Sequence, residues 1–240
     1  MGSPGGEAER NAHEVQHEVT LSQGYWLADT ACTQALWHAV MGENPSHFKA
    51  DVRNPVEQVS WEDAQSFIVA LNQRVAGLKA RLPSEAQWEF ACRAGSTTPF
   101  WFGANITPER VNYDGYYPYA GGKKGLYREH TVPVGSLPPN GWGVYEMHGN
   151  VWEWCEDWYG DYATGAQVDP PGPSSGAIRV LRGGSWFTYG WSARSAFRYG
   201  YEPGIRDQRI GFRLALGHES GRLEESAGEP RGTRGGKAGG

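Results

Sequence analysis

Cysteine is scarce in this chain. Cys32, Cys92 and Cys155 are the only three in 240 residues, and they stand far apart. An odd, sparse set argues against a disulfide scaffold and fits a reducing compartment. No CxxC or Cys/His ligand spacing occurs, which argues against structural zinc. A strong excess of one charge is also lacking. The net charge of −5 gives no electrostatic footprint for nucleic acid or an anionic membrane. No apolar run approaches the roughly 20 residues of a membrane span. The opening MGSPGGEAERNAHEVQHEV has no apolar signal-peptide core. The expectation is a cytoplasmic protein with no nucleic-acid partner and no membrane insertion.

Glycine and aromatics are abundant instead: 34 Gly, 15 Pro and 11 Trp. Globular proteins average about 7% Gly, so glycine is roughly doubled. Such a composition suits a fold with much irregular backbone and does not suit long amphipathic helices.

Residues 1–14 are polar and read as a mobile segment. HEVTL (17–21) and YWLAD (25–29) alternate as strands do. Thr33 can cap a short helix through Met41, with Leu36, Trp37 and Val40 inward and Gly42 ending it. A longer helix follows Ser60, where SWED is a capping-box-like signal with Asp63 in place of Glu or Gln. Trp61, Ala64, Phe67, Ile68, Leu71 and Val75 then recur at helical spacing. A third helix starts at LPSEAQWEFACR, with Ser84 as cap and Gln87 closing a second box. From Gly95 to about Pro173 helical periodicity is lost, leaving short strand-like pieces such as TVPVG and VWEWCEDW. IRVLRGGSW and IGFRLAL read as strands flanking a loop crowded with rings. Residues 217–240 are low-complexity and charged, the composition of a disordered tail.

Six ordered blocks carry a resemblance: NPSHF (44–48), NPVEQVSWEDA (54–64), RLPSEAQWEFACRAG (81–95), GVYEMHGNVWEWCEDWYG (143–160), RVLRGGSW (179–186) and IGFRLA (210–215). Together they resemble the formylglycine-generating enzyme family, also called sulfatase-modifying factor domains. The resemblance implies an α+β, C-type-lectin-like fold over residues 15–216. Its features are two main helices, a small twisted antiparallel sheet and long packed loops. MGSP matches a point inside the family pattern, so the first strand is expected to be incomplete.

The family's copper-dependent oxidation uses two cysteines just after RGGS. Here Phe187, Thr188 and Tyr189 follow RGGSW, and no cysteine occurs after Cys155. No copper and no enzymatic activity are therefore expected, and Cys155 reads as a small buried hydrophobe. The related sulfoxide synthases carry iron histidines in an extra helical domain, for which this chain has no room. None of the seven histidines joins a nucleophile in a motif; His148 in EMHGN reads as structural. Glu156 and Asp157 read as hydrogen-bonding groups and not as paired catalytic acids.

Variable proteins of diversity-generating retroelements use the same lectin-like fold. Their framework resembles Arg182-Gly183-Gly184-Ser185-Trp186, Arg194-Ser195-Ala196, Arg198, Pro203, Arg206 and Ile210-Gly211-Phe212-Arg213 of this chain. The variable region implied spans about 180–213. The candidate ligand contacts are Phe187, Thr188, Tyr189, Gly190, Trp191, Ser192, Phe197, Tyr199, Gly200, Tyr201, Ile205, Asp207 and Arg209. Most can be reached from an AAC template codon by changing adenines alone; Trp191, Glu202 and Gln208 cannot. Rigid rings with adaptable Gly and Ser between them are how paratopes are built. The competing reading is that the rings fill the protein's own core. Trp186 and Phe212 are assigned to that core, and Arg182, Arg194, Arg198 and Arg213 to scaffold ties between loops.

The family resemblance further implies structural Ca²⁺, with side-chain oxygens of Glu146 and Glu153 and backbone oxygens of Gly149 and Val151. The alternative is a loop held by hydrogen bonds alone. Three functional readings follow. The first is a monomeric, non-catalytic binder of an unknown protein or other macromolecule. The second is a family oxidase with an unrecognised site. The third is an undiversified regulatory or assembly module.

Overall fold

A computed structural model of the protein describes residues 1–217. The expected tail, 217–240, lies outside the described residues apart from Gly217, which ends the last strand.

Among the described residues, three α-helices form where side chains can cap them. In α1 (Gln34–Met41), Thr33 accepts a hydrogen bond from the Leu36 N–H and left-handed Gly42 ends the helix. Both α2 (Trp61–Arg74) and α3 (Glu85–Arg93) start in complete capping boxes, Ser60 with Asp63 and Ser84 with Gln87. Leu36 and Val75 are exposed, contrary to the inward reading. Leu36 lies off the buried Gln34, Trp37 and Val40 row of α1, and Val75 is the extended C-cap just past the end of α2, where the helical period no longer applies.

The central sheet contains β4 (Trp152–Trp158), β6 (Arg179–Arg182), β7 (Arg198–Tyr201) and β8 (Ile210–Phe212), in the order β7-β6-β4-β8. Its β4–β8 pairing is parallel, a departure from the all-antiparallel expectation. A second, antiparallel sheet places β9 (Ala215–Gly217) between β2 (Tyr25–Leu27) and β3 (Ala80–Arg81). Two-residue β1 (Val19–Thr20) and β5 (Gln167–Val168) pair in parallel. TVPVG forms no strand.

Strand alternation assigns the two faces of the central sheet. Trp152, Trp154, Leu181 and Phe197 pack on one face with Trp37 of α1 and Phe67 of α2. Trp37 stacks on Phe67 at 5.2 Å, and Phe67 meets Phe212 edge-on at 5.4 Å. On the other face, Cys155 and Val180 pack with Trp88 and Cys92 of α3. Both faces are thus covered, which explains the near-continuous burial along β4.

Buried ion pairs cross the α3 face. Arg182 reaches Glu89 at 2.5 Å and Glu85 at 3.3 Å, Arg198 reaches Glu85 at 2.6 Å, and Arg213 reaches Glu153 at 2.6 Å. The scaffold role read for these arginines is what their geometry gives. Gly183 has φ +94°, and a Cβ there would lie 3.0 Å from the Trp88 ring. Glycine is therefore required where the chain leaves β6 beside α3.

The N-terminal segment is not the mobile piece its composition suggested. Ser3 and Glu14 are buried, Ser3 bridges to Val15, and the Gly2 N–H donates to Glu89 at 2.8 Å. Composition misled here because the partners are distant: Glu7 and Glu14 both pair with Arg194.

Candidate functional site

A cleft of about 190 Å³ opens at the edge of the sheet, on the face that packs α1 and α2. Tyr199 and Tyr201 of β7, with Phe197 just before it, project to this side, while Arg198 projects to the other. Trp152 supplies a wall and lies nearly parallel to Tyr199, ring centres 5.6 Å apart. Trp191 meets Phe197 edge-on at 5.1 Å, and Tyr199 meets Tyr201 at 5.3 Å. Thr188, Ser192, Arg209 and Ile210 complete the lining.

The structure divides the residues expected to touch ligand. Phe187, Tyr189 and Tyr199 are 48%, 42% and 40% exposed, high values for rings. Trp191, Tyr201, Asp207 and Arg209 are half-buried around the cleft and its rim, whereas Gly200, between Tyr199 and Tyr201 on β7, faces the other side of the sheet, where a Cβ would meet Ile178 and Tyr159. Phe187 joins through Arg209, whose guanidinium lies 5.3 Å from its ring centre. Tyr189 sits farther along the loop against exposed Tyr117, ring centres 4.2 Å apart. Ile205 is half-buried in the turn after Pro203 and does not line the cleft.

Three members of the set are corrected by their burial. Phe197 belongs to the core and contributes only the cleft floor. Ser192 is buried within a short 3-10 turn, Gly190–Ala193. Gly190 packs so closely that a Cβ would stand 2.6 Å from the Tyr119 N atom, so no side chain fits there. Thr188 is restrained too: its hydroxyl accepts from the Ser185 N–H at 2.9 Å and donates to the Ser185 carbonyl at 3.0 Å. The assigned core residues Trp186 and Phe212 are buried.

Sequence reading missed Trp152 and Tyr117. Trp152 sits in a run read only as strand-like, and its alternation with Trp154 gave no sign that one edge reaches a cleft. Tyr117 comes from a distant loop whose contact with Tyr189 has no local signal.

The cleft carries little net charge. Burial acts to raise the Asp207 carboxyl, but hydrogen bonds from Arg209 outweigh it and hold the group below its usual value. Burial, then a hydrogen bond shared with Tyr201, raises the Tyr199 hydroxyl, so it stays protonated near neutrality. What remains is a rigid, ring-lined slot with one self-neutralised Asp207–Arg209 pair at its rim. Such a surface can hold an apolar or aromatic group by area and stacking.

No thiol reaches the cleft. Cys32, Cys92 and Cys155 are all buried and unpaired. Burial raises the Cys92 thiol to about 12. It pushes Cys155 well up, helped by the Asp157 and Glu85 carboxylates. Thiolate is the metal-binding form, and these sites disfavour it.

In the loop at 146–153 the carboxylates expected to hold calcium have protein partners. Both Glu153 oxygens face Arg213, at 2.6 and 2.7 Å, and one also accepts from the Trp88 indole at 2.6 Å. Glu146 accepts the N–H groups of Gly135 and Leu137 at 3.0 and 3.2 Å, and burial raises its carboxyl. Gly149 and Val151 lie in the same turn, but its two carboxylates already have protein partners. Among the described residues no group of three or more His, Cys, Asp or Glu could hold a metal ion. No described helix is long and apolar enough to cross a membrane.

Residues 2–217 match the family described as sulfatase-modifying factor enzyme 1-like domain. The formylglycine-generating enzyme of Streptomyces coelicolor is 36% identical, over 87% of this chain and 70% of its own length. The inactive C-alpha-formylglycine-generating enzyme 2 of Bos taurus is 33% identical, over 85% of this chain and 64% of its own, so this chain spans less than two thirds of that relative. Among solved structures, Treponema denticola variable protein 1 superposes with a TM-score of 0.75 at 31% identity, covering 88% of this chain and 90% of its own.

Proposed function

The chain belongs to the sulfatase-modifying factor enzyme 1-like family, and from that premise we propose that it is a non-catalytic binding protein whose ring-lined cleft is a diversified surface for a protein or other macromolecular ligand. The observation that carries the reading is the separation of roles along 182–213. Framework Arg182, Arg194, Arg198, Phe212 and Arg213 are buried, while Phe187, Tyr189 and Tyr199 between them face water. Replacing an exposed ring changes what is bound and leaves the core alone. Replacing a framework arginine strands a buried carboxylate.

Two further points support it. The positions after RGGSW hold no cysteine, and the chain's three cysteines are buried away from the cleft. A relative of comparable identity is itself named inactive, and a close structural neighbour is named a variable protein. Exposed rings on a stiff support lose little conformational entropy on binding, which suits a broad protein ligand.

The test is sequencing of the locus across a cell population. Substitutions should fall at codons for Phe187, Tyr189, Trp191, Tyr199 and Tyr201 and match adenines of a nearby near-copy. Codons for Arg182, Arg194, Arg198 and Arg213 should stay fixed. A locus with no near-copy, or with changes unrelated to adenine, overturns the diversified reading. Formylglycine formed by the purified protein on a cysteine peptide with copper and oxygen overturns the non-catalytic one.

A further inference from the structure

A second cavity, of about 250 Å³, lies on the α3 side of the central sheet, behind β7. Arg198 points into it from the strand whose neighbouring Tyr199 faces the ring-lined cleft. Its walls are apolar, built from Ala86, Ala163 and the Pro170–Pro173 turn. Its polar groups are the carboxylates of Glu85, Asp157 and Asp161, the Arg198 guanidinium, His17, Tyr162, Gln167 and Met1, whose terminal ammonium donates to the His17 carbonyl. The volume is below the roughly 300–1,000 Å³ of sites for larger ligands, so a small molecule is the natural occupant.

The side-chain donors Arg198, Tyr162 and Gln167 around this cavity are already engaged. Arg198 binds both Glu85 oxygens, at 2.7 and 2.6 Å, and the Gly160 carbonyl at 2.8 Å. The Tyr162 hydroxyl donates to Glu85 at 3.2 Å, and the Gln167 amide donates to backbone carbonyls. An acceptor is left over. Asp157 is only 5% exposed; its Oδ2 takes the Glu85 N–H at 2.7 Å, and no hydrogen bond reaches its Oδ1. Oδ1 lines the cavity with no donor from the described residues, so it is open to one from a bound molecule. With Glu85 paired to Arg198 and the Met1 ammonium held by the His17 carbonyl, the cavity still offers the Asp157 and Asp161 carboxylates and apolar walls, which favours a ligand that brings N–H groups and positive charge.

We propose that this cavity binds a small aliphatic primary ammonium, with the NH₃⁺ group donating to Asp157 Oδ1 and the alkyl chain lying against Ala86 and the proline turn. The protonation of Asp157 is consistent with such a role. Burial first, and the neighbouring Glu85 carboxylate second, raise its carboxyl to about 7, with Glu156 adding to the rise and Arg198 opposing it. His17 and Asp161 also face the cavity from the N-terminal segment and the 161–163 loop. A bound cation would favour the ionised form and expel the proton.

Calorimetric titration with n-butylammonium tests this, with butyrate and 1-butanol as controls. The amine should bind at pH 8, bind about tenfold more weakly at pH 6 and release roughly half a proton at pH 7. Neither control should bind comparably. Asp157→Asn keeps an acceptor for the Glu85 N–H and should weaken the amine about tenfold or more. Ala86→Leu, which adds bulk at the wall, should weaken it as well, and Tyr199→Ala on the opposite face should leave it unchanged. No amine binding at millimolar concentrations, equal binding of a control, or an unaffected Asp157→Asn overturns the proposal.

Discussion

Arg194 and Glu14 stand 180 residues apart and form a buried, two-pronged ion pair, with Nη1 to Oε2 at 2.7 Å and Nη2 to Oε1 at 2.8 Å. Glu7 adds a third contact at 2.6 Å. The N-terminal segment is thereby clamped onto the framework just after the 3-10 turn Gly190–Ala193. The support beneath the exposed rings is therefore partly built by the chain's first residues.

Glu14→Gln should then lower stability by about 3–5 kcal/mol, because it leaves Arg194 buried with one carboxylate fewer. Chemical denaturation measures this. A loss below about 1 kcal/mol would mean the segment is not part of the fold.

Truncating rings should separate core from surface. Phe197→Ala should cost about 3–5 kcal/mol, as a buried aromatic in the main core does. Tyr189→Ala, at an exposed loop position, should cost about 0.5 kcal/mol or less. Thermal melts of the two variants check the ordering.

Much of this was legible in the sequence, for identifiable reasons. Caps at Thr33, Ser60 and Ser84 are local signals, and all three formed. The split between framework and loop residues followed from ordered motifs, and Trp186 and Phe212 are buried as read. What escaped depends on contacts distant in sequence. Nothing near Glu14 announces Arg194, and nothing near Gly190 announces the Tyr119 backbone. Gly190 resembles an adaptable surface residue until the approaching chain is seen. The partner of Glu153 was hidden similarly: the residue fits a ligand motif, and the sequence does not show that Arg213, 60 residues on, pairs with its carboxylate.

Acid stability should show two opposing slopes. Burial lowers the His148 imidazole from 6.5 to about 4, while the Ala193 carbonyl accepts its ring N–H at 2.7 Å. The folded state keeps this group neutral, so its contribution is present above pH 6.5 and is lost as pH falls toward 4. The Asp157 carboxyl goes from 3.8 up to about 7, so its contribution is present below 3.8 and is lost as pH rises through 7. Each window corresponds to a few kcal/mol at most, at about 1.4 kcal/mol per unit. His148→Gln should flatten the acid-side loss, and Asp157→Asn should flatten the loss toward neutrality. Denaturation midpoints at pH 4.5 and pH 7 distinguish them; identical pH dependence in both variants would rule out this assignment.

Glu153→Gln should destabilise by about 3–5 kcal/mol through the stranded Arg213. With both Glu153 oxygens paired to Arg213, the loss should be the same in calcium as in chelator. A penalty that appears only with calcium present would restore Glu153 as a metal ligand.

The division between rings that face water and a framework that holds the fold is tested most directly by two matched libraries. One randomises Phe187, Tyr189, Tyr199 and Tyr201; the other randomises Arg182, Phe197, Phe212 and Arg213. Most members of the first should fold, with melting temperatures within about 5 °C of the parent, and binders to an arbitrary soluble protein should be recoverable from it. Few members of the second should fold at all. Equal loss of folding in the two libraries would place the rings in the protein's own interior and contradict the binding surface.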